Sequence, residues 1–168
     1  MNQNVAKTAP FLVFTDLDGS LMEHESYSME AAKPALAELT RRGVTPVFAS
    51  SKTAAEILAV QRASGITAPF ICENGAAVYD SLGRILTAFG SPRTSWLDAV
   101  HQLRERLSLR FTGFSDWSAE QIAELTGLSE GDAGKAQRRE FTEPMLWQDT
   151  EANFQLFQRE IQKLSLAT

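Results

Sequence analysis

The feature that most constrains this chain is the run Phe11-Leu12-Val13-Phe14-Thr15, ended abruptly by Asp16-Leu17-Asp18-Gly19-Ser20. A nearly all-apolar run of branched and aromatic side chains reads as a strand buried on both faces, the kind found inside a parallel sheet. Two further segments repeat the arrangement. Val44 to Ala49 runs into Ser50-Ser51-Lys52-Thr53, and Phe70 to Cys72 runs into Glu73-Asn74-Gly75. Helical patterns separate the three runs. One covers roughly residues 30 to 42, with Ala35, Leu36 and Leu39 on one face and Gly43 at its stop. The other opens on the capping-box pattern Thr53-Ala54-Ala55-Glu56, carries Ile57, Leu58 and Val60, and closes at Gly65.

Strand, helix, strand, helix, strand with short connections implies parallel pairing through right-handed crossovers, and so a Rossmann-like α/β sheet. Ligands of such sheets sit beyond the carboxyl ends of the strands, and all three ends are polar here. The rhythm then stops at a hairpin, Ala76 to Tyr79 and Arg84 to Thr87 around Asp80-Ser81-Leu82-Gly83. From about residue 91 the pattern is a helix (Trp96 to Leu107), a short strand (Leu109 to Gly113), and helices near 118–126 and 129–139. A strand within Phe141 to Trp147 and a last helix from Thr150, carrying Phe154, Phe157, Ile161 and Leu164, complete it. The expectation is an α/β core over residues 1–90, followed by an α+β module over 91–168.

Composition narrows the function classes. Sixteen Lys and Arg against 21 Asp and Glu give a net charge of −5, spread evenly along the chain. Nothing in that balance gathers around a nucleic-acid backbone or an anionic membrane. The single cysteine, Cys72, lies in an apolar run and reads as a buried thiol in a reducing compartment. The N-terminus lacks the basic-then-apolar order of a signal peptide, and no apolar stretch approaches the roughly 20 residues of a membrane helix, so a cytoplasmic protein is expected.

The chemistry concentrates at the strand ends. Asp16 and Asp18 are two apart, so in extended geometry their side chains point the same way, and Gly19 lets the chain turn sharply afterwards. One carboxylate of such a pair can attack phosphorus to give an aspartyl-phosphate while the other donates a proton to the leaving oxygen, with Mg²⁺ offsetting the negative charge. A plain Asx-rich turn has the same residues. Ser50 offers a hydroxyl for a phosphate oxygen and Lys52 a positive charge two residues on. Glu73, Asn74 and Gly75 could bond substrate hydroxyls, or Asn74-Gly75 could simply be a turn. His24 and His101 lack metal-ligand spacing, and Trp96, Trp117 and Trp147 read as core anchors.

Phe14-Thr15-Asp16-Leu17-Asp18-Gly19-Ser20-Leu21, Ala49-Ser50-Ser51-Lys52-Thr53 and Glu73-Asn74-Gly75-Ala76, in this order, resemble the motifs of haloacid-dehalogenase-like phosphatases. The Ser-Lys-Thr form and the later Arg139-Glu140-Phe141-Thr142-Glu143-Pro144 resemble the mannosyl-3-phosphoglycerate phosphatases among them. The resemblance implies that Asp16 is the nucleophile, Asp18 the general acid and Ser50 the phosphate-binding hydroxyl. It implies that Mg²⁺ is ligated by the Asp16 carboxylate and the Asp18 backbone carbonyl. It also implies a phosphorylated sugar-glycerate as substrate and a cap module closing over the sugar, with Arg139, Glu140 and Glu143 as candidate contacts. A solvated helix end and strand edge is the plainer account of those three. The family continues past its cap with a phosphate-steadying lysine and a Gly-Asp-x-x-x-Asp segment, neither of which is in these residues. The expectation is therefore the front portion of a phosphatase, with a sheet incomplete on its C-terminal side and activity impaired on its own. The alternative is a remnant that binds a phospho-ligand or partner without catalysis. An uncovered sheet edge would favour association with another chain.

Overall fold

A computed structural model describes residues 12–23 and 28–167, which fall into two compact units, 1–90 and 91–168. The expected His24 lies outside the described residues.

In the first unit β1 (Phe14–Thr15), β2 (Val47–Ala49), β3 (Phe70–Cys72), β4 (Ala77–Tyr79) and β5 (Ile85–Ala88) form one sheet in that order. β1 pairs parallel with β2, and β2 with β3; β3–β4 and β4–β5 are antiparallel, the second pair being the hairpin. The crossovers are α1 (Lys33–Arg41) and α2 (Ala54–Ser64). Each ends beside a glycine in the left-handed region, Gly43 at φ +71° and Gly65 at φ +70°, where a Cβ would be strained. The capping box at the start of α2 is complete, with Thr53 accepting from Glu56 N–H and Glu56 accepting from Thr53 N–H. Phe48, Ile57, Phe70, Cys72 and Ala77 are fully buried, and Phe70 stacks on Tyr79 with ring centroids 5.3 Å apart.

One expectation is corrected. The first strand is not buried on both faces: Leu12 is 72% exposed and Phe14 57% exposed. The reason is position, because β1 pairs only with β2 among the described residues and so stands at the edge of the sheet. α1, which crosses over beside it, buries none of its residues despite its amphipathic sequence.

The second unit has α3 (Leu97–Arg106), β6 (Phe111–Gly113), α4 (Ala119–Thr126), α5 (Glu130–Ala136), β7 (Met145–Trp147) and α6 (Glu151–Lys163). β6 and β7 pair antiparallel with Phe111 opposite Trp147. Val100, Leu103, Leu109, Phe111, Phe157 and Ile161 form its core, and Trp96 and Trp147 pack against it. Trp147 meets Phe111, Phe154 and Phe157 at centroid distances of 5.2–5.6 Å, so its reading as a core anchor holds. Arg104 grips Asp116 through two nitrogens at 2.6 and 3.0 Å. No helix among the described residues is long and apolar enough to cross a membrane.

Phe157→Ala is expected to destabilise the second unit by about 3–5 kcal/mol, read as a shift of the urea-unfolding midpoint. The Arg104 guanidinium, assisted by the Gly113 N–H, holds the Asp116 carboxyl below the ordinary aspartate range. A depressed folded-state pKa stabilises above the unfolded value and is lost as pH falls through the folded one. The stability gap between the wild type and Asp116→Asn should therefore be widest near neutrality and close below about pH 4. A gap independent of pH would contradict this.

Candidate active site

The carboxyl ends of β1, β2 and β3 open into a cleft of about 510 Å³ lined by Asp16, Ala49, Ser50, Ser51, Ile71, Asn74 and Gly75. Residues from all three strand ends thus face one space, as parallel pairing requires.

At the first end the chain coils on itself immediately after β1. Leu17 is fully buried, and its carbonyl accepts from the N–H groups of Leu21 (3.1 Å) and Met22 (2.7 Å). Gly19 takes φ +70°, and its N–H donates to the Met22 carbonyl at 2.9 Å. Burial of the leucine between them anchors Asp16 and Asp18. The Leu17 N–H donates to Asp16 Oδ1 at 2.7 Å, which orients the carboxylate from one side. Asp18 Oδ1 is out of solvent contact, and no hydrogen bond of good geometry reaches it among the described residues. The Lys52 ammonium nevertheless lies 3.0 Å from it as an ion pair.

The second end is bound to the third. Ser50 N–H donates to the Ile71 carbonyl at 3.1 Å, Asn74 N–H to the Ser50 carbonyl at 3.1 Å, and Glu73 N–H to the Lys52 carbonyl at 3.0 Å. Ser50 is buried, and its Oγ accepts the Lys52 N–H at 3.2 Å, which leaves the hydroxyl proton to be donated elsewhere. Glu73, Asn74 and Gly75 take φ values of +48°, +59° and +93° in succession, two of them at residues with a Cβ. Such local strain persists only where surrounding structure holds it, and it is frequent at ligand sites.

Of the residues singled out in the sequence, Asp16, Ser50, Asn74 and Gly75 line the cleft. Asp18, Lys52 and Glu73 do not: the Lys52 ammonium lies against Asp18, and Glu73 is 2% exposed. Arg139, Glu140 and Glu143 belong to the second unit. There Glu143 is no solvated edge, its side chain being 3% exposed. Its Oε1 accepts from both the N–H and the hydroxyl of Ser115 at 2.7 Å, and its Oε2 lies 2.6 Å from Arg93 Nη2, off the line of a good hydrogen bond. Arg139 Nη1 donates to Thr142 Oγ1 at 2.7 Å and its guanidinium lies 5.7 Å from the Phe114 ring centroid; the Glu140 carbonyl accepts from Arg93 N–H. Sequence reading missed Arg93, which no motif marks, and Ser51. It took Glu56 only as a helix cap, although its position four residues after Lys52 places the two charges side by side on one turn. A strongly displaced carboxyl lies elsewhere: Arg41, then Arg42, pull Glu38 down to about 2 on the exposed surface of α1, an ordinary solvated cluster.

The chain thus carries an Asp-x-Asp-Gly turn, a serine and a strained turn at three adjacent strand ends of an α/β sheet. A sequence model of the haloacid dehalogenase-like hydrolases matches residues 13–165, and the chain belongs to that family. Among named relatives, it is 34% identical over 151 residues to the glucosyl-3-phosphoglycerate/mannosyl-3-phosphoglycerate phosphatase of Persephonella marina. That alignment covers 82% of this chain and 55% of the other, so the chain spans about half the length of this relative. Solved structures share the fold at lower identity. A Thermotoga maritima protein matches at 20% identity and TM-score 0.58, over 91% of this chain and 61% of its own. A phosphatase of the haloalkanoate superfamily from Bacteroides thetaiotaomicron matches at 16% and 0.58, over 98% and 63%.

Removing the Glu143 charge tests the second unit. Glu143→Gln keeps an acceptor for Ser115 but strands the Arg93 guanidinium, and is expected to cost about 3–5 kcal/mol in thermal or urea unfolding. A change below about 1 kcal/mol, the value of an exposed pair, would show that the pair is solvated.

Proposed function

We propose that this chain carries the nucleophile, the general acid and the phosphate-binding hydroxyl of a phosphate-monoester hydrolase acting on a phosphorylated sugar-glycerate of the glucosyl- or mannosyl-3-phosphoglycerate type. The observation that carries the reading is the cleft itself, into which Asp16, Ser50 and Asn74 converge from three strand ends beside an anchored Asp18. The substrate class follows from the named relative and from the Ser-Lys-Thr and Arg-Glu-Phe-Thr-Glu-Pro segments.

In this reading an Asp16 carboxylate oxygen attacks phosphorus, a P–O(Asp16) bond forms as the ester P–O bond breaks, and Asp18 gives its proton to the departing alkoxide. Ser50 donates its hydroxyl proton to a phosphoryl oxygen, and the backbone of Asn74 and Gly75 borders the same space. Water then attacks phosphorus, Asp18 accepts its proton, and inorganic phosphate leaves with Asp16 restored. The donors suit Mg²⁺: a carboxylate and a backbone carbonyl are hard oxygens, and this ion is commonly held by one or two carboxylates together with phosphate and water. The protein ligands here would be the Asp16 carboxylate and the Asp18 carbonyl, as the family resemblance implies. When bound, the ion would offset the charge that phosphate brings to the two acids. We assign residues 1–90 to the catalytic core and 91–168 to the substrate-selecting cap, with Arg139 and Glu140 as its candidate contacts. The buried Cys72 thiol supports a reducing, cytoplasmic setting.

In a complete enzyme that contains these residues, Asp16→Asn is expected to abolish phosphate release from mannosyl-3-phosphoglycerate while changing stability by no more than about 0.5 kcal/mol, as befits an exposed side chain. A phosphate-release assay paired with calorimetry checks this. Release that survives in Asp16→Asn would refute the aspartyl-phosphate route, and uptake of the phosphosugar by the wild type without any release would instead establish a binding module.

A further inference from the structure

Resting on that reading, we propose that Lys52 is a positioning residue for the general acid: it grips one oxygen of Asp18 and is itself held by Glu56. Lys52 Nζ is 3.0 Å from Asp18 Oδ1 and 3.9 Å from Glu56 Oε1, and the Lys52 and Glu56 side chains are only 13% and 12% exposed. Both ends of this clamp are anchored. Glu56 Oε2 accepts from Thr53 N–H at 2.8 Å and from the Thr53 hydroxyl at 2.9 Å, and Thr53 is fully buried at the start of α2. The Lys52 backbone is fastened on both sides, its N–H to Ser50 Oγ and its carbonyl to Glu73 N–H. The ammonium is therefore delivered to Asp18 by the helix cap and the β3 turn together.

The ammonium is engaged by Asp18 and Glu56, so Lys52 acts through Asp18. With Oδ1 taken by the ammonium, Oδ2 is the oxygen that carries the transferable proton. As the ester P–O bond breaks, that proton moves to the leaving oxygen, and the carboxylate left behind already faces a positive charge. The same geometry returns Asp18 to the correct rotamer for the hydrolytic step.

Leaving groups separate this role from a phosphate-binding or merely structural one. A sugar-glycerate alkoxide must be protonated to depart, whereas p-nitrophenolate leaves unaided. Lys52→Met is expected to lower kcat/KM for the sugar phosphoglycerate by about 10- to 100-fold but for p-nitrophenyl phosphate by less than about threefold, a share of the roughly 10²–10⁴-fold a placed acid contributes. Glu56→Gln, which keeps an oxygen for the helix cap, should shift the same ratio in the same direction, and Lys52→Arg should restore much of it. Equal losses on the two substrates in a folded variant, or none on either, would overturn the proposal. These rates are read in a complete enzyme that contains these residues, and if that enzyme, unmodified, releases phosphate from neither substrate, the proposed function fails instead. The clamp is then read in ¹⁵N spectra of the lysine ammonium groups: the Lys52 resonance should move in Asp18→Asn and in Glu56→Gln, and an unmoved resonance would overturn it.

Discussion

The parallel pairing of β1, β2 and β3 is the constraint on which the candidate site depends. Parallel strands deliver their carboxyl ends to one edge of the sheet, so three short polar segments far apart in sequence become neighbours. Register alone would leave those segments loose. They are joined by backbone hydrogen bonds that continue past the strands, from Ser50 to Ile71, Asn74 to Ser50 and Glu73 to Lys52. Each bond ties the end of β2 to the end of β3, so the sheet's hydrogen bonding continues into the cleft wall.

Charge is organised differently in the two units. In the first, the protected ion pairs sit beside the cleft, where Lys52 serves two carboxylates, while Glu38 with Arg41 and Arg42 lies on the open surface. Exposed pairs of that second kind contribute about 0–1 kcal/mol. In the second unit the protected pair is Arg93 with Glu143, and the carboxylate also holds the backbone and hydroxyl of Ser115. A buried charge with several partners fixes the loops that carry them, because losing any partner leaves a desolvated charge uncompensated. Gly113 shares that space: a Cβ there would fall 2.4 Å from Glu143 Oε1, so the glycine and the glutamate are matched.

Much of the fold was legible in the chain because its punctuation is local. Thr53 with Glu56 and the glycines at 43 and 65 mark helix ends by their own chemistry, and each acts there as expected. β3 was legible to the residue, since apolar Phe70 to Cys72 is bracketed by proline and a polar turn. The first strand was misread for a physical reason. Apolar runs report the capacity to be buried, but whether a strand lies inside or at the edge depends on its partners, and the described residues supply β1 with one.

By itself the sequence determined which residues could do chemistry. Two aspartates around a leucine, a serine after a strand and an Asn-Gly turn are chemical facts of composition and spacing, and the family match spans them. Only the tertiary structure decided which of these residues face the same cleft and which serve one another. Asp16, Ser50 and Asn74 meet there; Lys52 turns to Asp18, and Glu143 is taken by Arg93. The partner of a charged side chain is set by distances of a few ångströms between elements tens of residues apart. Local sequence has no term for those distances, because they are created by strand register and crossover packing.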